Sequence, residues 1–158
     1  MKAATLSELK KEMGTLSVSK LKEVCLRLAK YKKENKELLT YLLFESENEQ
    51  AYVEGVKQEV NTMFSEMNKS NLYLAKKNLR KILRTTNKYG KYSGKAETEA
   101  ELLIYFLGKL KKSGIPVQDS VVLTNLVNQQ LKKIEKVLST LHEDLQYDFR
   151  KELGRYHG

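Results

Sequence analysis

The chain has 158 residues, of which 41% are apolar and 31% charged. That is long enough for a hydrophobic core without disulfides, too apolar for a disordered chain, and too charged for a membrane-embedded one. The formal net charge of +9 points towards anionic partners, and no apolar run reaches the ~18 residues that a bilayer span needs. The opening MKAATLSELKK lacks an apolar signal core. A single cysteine, Cys25, rules out an intrachain disulfide and fits a reducing, cytoplasmic compartment.

Leu, Lys and Glu dominate, and proline occurs once, at Pro116. Straight-chain residues lose little rotamer freedom in a helix, so this composition predicts an all-α chain. The expectation is a single domain of about seven helices, packed as an irregular bundle or a short helical stack. No period recurs to define a repeat.

Thr5 with Glu8 forms a capping box for a first helix over 5–13, which Gly14 ends. Ser17 or Ser19 opens the second, where Leu21, Val24, Cys25 and Leu28 recur at helical spacing and predict a buried face with a structural thiol. KKENK (32–36) is a polar joint. The block Leu38, Leu39, Tyr41, Leu42, Leu43 and Phe44 is too apolar for a one-sided surface helix and is expected at the centre of the core. After the break ESENE (45–49), Ser46 and Glu49 form a second capping box for a helix carrying Tyr52, Val53, Val56, Val60 and Phe64. Ser70 or Asn71 caps the next.

That next helix, 72–89, carries the sharpest signal. Residues 1–66 hold 11 basic and 11 acidic residues, and 97–158 hold 9 of each. The whole excess therefore falls on 67–96, which has 9 basic residues and no acidic one. At 100° per residue, Leu72, Ala75, Leu79, Ile82, Leu83 and Thr86 occupy an arc of roughly 100°. Lys76, Lys77, Arg80, Lys81, Arg84 and Lys88 occupy roughly 140° opposite. Lys76, Arg80, Arg84 and Lys88 repeat every fourth residue, forming a ridge about 18 Å long. GKYSGK (90–95) reads as a flexible basic loop adding Lys91 and Lys95. Tyr73 and Tyr92 lie nearby.

Ala96 to about Ser113 is the next helix. Glu97, Glu99 and Glu101 favour its N-terminus and Lys109, Lys111 and Lys112 its C-terminus. LLIYFL (102–107) should be buried, and Gly114 with Pro116 stops the helix. From about 119 to 153, Val127, Leu131, Ile134, Leu138, Leu141 and Leu145 form a narrow seam continued by Phe149 and Leu153. One long C-terminal helix is the favoured reading. Ser139 or Thr140 with Glu143 offers a fresh start that would make two.

Chemistry is sparse. His142 and His157 belong to no metal-spacing motif, and His142 reads as a surface residue of a helix. Among Glu97, Glu99 and Glu101, the spacing of two puts neighbours on different faces, and favouring the helix N-terminus explains them without a catalytic role. No phosphate-cradling glycine loop occurs. The chain is therefore read as non-enzymatic, with no catalytic residue, metal or cofactor. The leading expectation is a module binding a polyanion, most naturally a nucleic-acid backbone, through Lys76, Lys77, Arg80, Lys81, Arg84, Lys88, Lys91 and Lys95. A solvated face, an acidic protein partner or an anionic membrane surface are the competing uses of that ridge. A protein–protein adaptor or homo-oligomer through the C-terminal seam is the alternative function. The stretch 6–28, with Leu6, Leu9, Leu16, Lys20, Val24 and Leu28, resembles the SAP module, a small helix–turn–helix unit that binds DNA. Val18–Ser19 stands where that family has a glycine before its lysine. The resemblance covers about a seventh of the chain and is too short to assign the family.

Overall fold

The computed structural model describes residues 1–156, so His157 lies outside the described residues. All described secondary structure is helical, in eight α-helices with a π-helical and a 3-10 turn. The chain divides into two compact units, the first Met1–Phe44 and the second beginning at Glu45.

The first unit contains α1 (Leu6–Met13), α2 (Val18–Tyr31) and α3 (Lys33–Thr40). The Thr5–Glu8 capping box is present, and the Thr5 amide and hydroxyl both donate to Glu8, holding its carboxyl below the usual value. Ser17 caps α2. Helices α2 and α3 pack together, and the Asn35 amide donates to the Leu28 carbonyl at 2.8 Å. No residue of α1, α2 or α3 is buried.

Two sequence expectations fail here. The block 38–44 is not core: Tyr41 is buried, but Leu42, Leu43 and Phe44 are 55%, 63% and 77% exposed. Cys25 is likewise exposed. An apolar run records a tendency towards burial, but burial also needs enough neighbouring elements, and one helix pair encloses little.

The second unit holds α4 (Glu49–Glu66), α5 (Leu72–Ser93), α6 (Ala96–Lys112), α7 (Val121–Leu138) and α8 (Glu143–Gly154). Helix α6 is the hub, packing against the other four. Leu102, Leu103, Ile104, Phe106 and Leu110 on it are essentially sealed from solvent. The Phe106 ring meets Phe64 of α4 at 5.6 Å between centroids. Lys57 of α4 reaches Glu101 of α6 at 2.6 Å and Glu54 at 3.3 Å. Burial pushes the Lys57 ammonium down, but those two carboxylates outweigh it and hold its pKa above the ordinary value.

Asn48, not Ser46, caps α4, its side chain accepting from the Ala51 amide. The favoured single C-terminal helix is in fact two. At the break, the Ser139 and Thr140 hydroxyls donate to the carbonyls of Lys136 and Val137. These bonds occupy the last acceptors of α7 and stop its ladder. His142 then caps α8, its Nδ1 accepting from the Asp144 amide.

Candidate polyanion-binding face

Helix α5 begins at Asn71, whose side chain accepts from the Leu74 amide. Its apolar arc turns inward as the spacing requires: Ala75, Leu79, Ile82 and Thr86 are buried, and the Thr86 hydroxyl donates to the Ile82 carbonyl at 2.9 Å. Burying that arc turns the basic side outward, because the two sit on opposite sides of one cylinder.

The expected flexible loop at 90–95 does not form, for α5 stays helical to Ser93. Glu49 of α4 explains this: its carboxylate accepts from the hydroxyls of Ser93 and Thr98 and pairs with Lys95 at 3.4 Å. The helix ends at Gly94, whose φ of +66° is left-handed and ordinarily reserved for glycine. Gly94→Ala should therefore cost about 1 kcal/mol and lower the thermal midpoint by about 2–4 °C, read by circular dichroism.

The structure places the eight predicted cations unequally. Lys76, Lys77, Arg80 and Arg84 line one open groove with Tyr73, Leu83 and Asn87. Lys77, Arg80 and Arg84 are exposed and Lys76 half-buried. Lys81 and Lys91 are exposed but lie outside the groove lining. Lys88 is half-buried, with its ammonium 4.9 Å from the centre of the Tyr89 ring. Lys95 is engaged by Glu49. Tyr92 sits in the last turn of α5 against Tyr89 rather than in a loop.

The opposite wall of the groove comes from α7, which the sequence reading did not include. Asn125, Gln129 and Gln130 face the cations, with Val122 and Leu126 between them. No carboxylate lines either wall. The signal lay in the sequence: VVLTNLVNQQ (121–130) holds no charged residue. Among the described residues, Lys76, Lys77, Arg80, Lys81 and Arg84 have no ion-pair partner. Carboxylates of α4 and α6 are spent on other cations: Glu49 on Lys95, Glu101 on Lys57, and Glu99 on Lys133 at 2.8 Å. Gln130 is buried and its Oε1 finds no donor among the described residues.

The C-terminal seam faces inward. Ile134, Leu138, Phe149 and Leu153 are buried, and Val127, Leu131, Leu141 and Leu145 half-buried, with α7 and α8 both packed on α6. No group of three or more His, Cys, Asp or Glu side chains among the described residues is arranged to hold a metal ion. No described helix is long and apolar enough to cross a membrane. The chain matches no family model, no curated protein and no solved structure.

Proposed function

We propose that this protein is a non-enzymatic binding module that engages a nucleic-acid backbone through the basic face of α5. One observation carries the reading: Lys76, Lys77, Arg80, Lys81 and Arg84 share a helix face and lack carboxylate partners among the described residues, and all of them but Lys81 line a groove opposite a wall of amides and aliphatics. Like charges at i, i+4 repel by a few tenths of a kcal/mol per pair. A ridge serving stability alone would gain from interspersed glutamates, which the chain uses freely elsewhere.

The span from Lys76 to Arg84, about 12 Å, matches roughly four phosphates of one strand at 3.4 Å each. Guanidinium groups of Arg80 and Arg84 would take phosphate oxygens in bidentate fashion, and the lysines would act as point charges. Such contacts position a backbone and carry no sequence information, so tight discrimination between sequences is not expected. Fluorescence anisotropy with labelled duplex and single-stranded oligonucleotides at two salt concentrations tests the reading. Binding that weakens at the higher salt supports it, and no binding at the lower salt removes it. An acidic protein partner would respond to salt in the same way. Capture from nuclease-treated extract separates the two, since a nucleic-acid ligand is then lost.

A further inference from the structure

The first unit carries a second surface, independent of the α5 face. Between α2 and α3 lies an open groove with Leu26, Leu39, Leu43 and Phe44 in its lining. Leu26 and Leu43 are 56% and 63% exposed, and Phe44 is 77% exposed. Aromatic and leucine side chains left this open beside one another mark an interaction site rather than ordinary scatter. Four lysines, Lys30, Lys32, Lys33 and Lys36, complete the lining together with Ala29 and Thr40, and no carboxylate lies in it. Lys33 leans on Glu37 at 3.6 Å, and Lys32 lies near the Tyr31 ring.

Three considerations select the occupant. Neither α2 nor α3 has a buried residue, and Tyr41 just after α3 is the one buried side chain among the unit's described residues, so a third helix laid along the groove would give the pair a core. The lysines around an apolar strip call for carboxylates flanking an apolar seam. A second copy of this unit is disfavoured, because residues 1–44 hold 10 basic and 5 acidic residues and would repel their own kind. We propose that the α2–α3 groove docks an amphipathic helix of a partner protein, with its leucine-type seam against Leu26, Leu43 and Phe44 and its Asp or Glu flanks against Lys30 and Lys36.

The test uses the full chain and a fluorescein-labelled synthetic amphipathic peptide with a leucine seam and glutamate flanks, read by fluorescence polarisation. Its controls are a scrambled peptide of equal composition and the same seam with lysine flanks. The glutamate-flanked peptide should bind at least about tenfold tighter than either control. Leu43→Asp with Phe44→Ser should weaken it by about tenfold or more. Both side chains are exposed, so the helical circular dichroism should not move. Lys30→Glu with Lys36→Glu should invert the preference towards the lysine-flanked peptide. The triple change Lys76→Glu, Arg80→Glu, Arg84→Glu should leave peptide binding intact, which separates this surface from the nucleic-acid reading. Equal binding of all peptides, or none, would overturn the proposal. So would uptake by phosphatidylserine vesicles, or a dimer in sedimentation equilibrium, that Leu43→Asp abolishes, since the groove would then serve a membrane or a second copy.

Discussion

Changing Lys76, Arg80 and Arg84 together to glutamate should weaken oligonucleotide binding by at least about a hundredfold while the helical circular dichroism stays as it was. Each of these residues lines the groove and none has a carboxylate partner among the described residues, so the substitution breaks no ion pair. Arg80 and Arg84 are exposed, and Lys76 is half-buried at the edge of the basic face, so the buried side chains of Leu79 and Ile82 are left unchanged. Pairs 76/80 and 80/84 stay like-charged, whereas glutamate at 80 and 84 would face Lys77 and Lys81 at i, i+3 and glutamate at 84 would face Lys88 at i, i+4, so the balance shifts slightly towards attraction, by a few tenths of a kcal/mol. Loss of binding with an unchanged or slightly raised thermal midpoint is therefore the expected pair of results. Anisotropy titration and a thermal melt on the same preparation check it. Binding that survives the triple change would place the contact elsewhere.

Phe106→Ala should produce the largest loss of stability, about 3–5 kcal/mol. Phe106 has no measurable exposure, sits on the hub helix α6, and packs its ring against Phe64. Removing the ring leaves a void that the surrounding leucines of α6 and its neighbours fill only in part. Chemical denaturation with urea reads the change as a lower midpoint at unchanged slope. Because α5 and α7 hold the groove open by each packing on α6, the same variant should also bind oligonucleotide less well near its melting temperature. At low temperature, where it is still folded, binding should be normal.

The sequence makes the helical class legible because leucine spacing and helix caps agree along most of the chain. In α5, the arc holding Leu79, Ile82 and Thr86 is the arc that is buried, and Thr5, Ser17 and Asn71 cap as their positions suggest. What misleads is any feature decided by distant neighbours. GKYSGK carries two glycines and looks like a loop, yet Glu49, more than 40 residues away, holds Ser93 in the helix. The seam over 127–153 looks continuous, but the short-range bonds of Ser139 and Thr140 break it without disturbing the inward face on either side. Leu42, Leu43 and Phe44 have the apolarity of core residues but are exposed. Half of the candidate site was equally hidden. Periodicity alone gives the cationic wall, whereas the amide wall of Asn125 and Gln129 appears only once α6 has brought α7 alongside α5.

In the proposed function, Lys76, Lys77, Arg80, Lys81 and Arg84 of α5 exchange condensed counterions for phosphates. Measuring the duplex dissociation constant across a series of salt concentrations tests it most directly. About four phosphate contacts predict that log K falls against log salt with a slope of about −3 to −4, dropping towards zero in the triple glutamate variant. A slope near zero for the unaltered chain, or an equal slope in both, would contradict it.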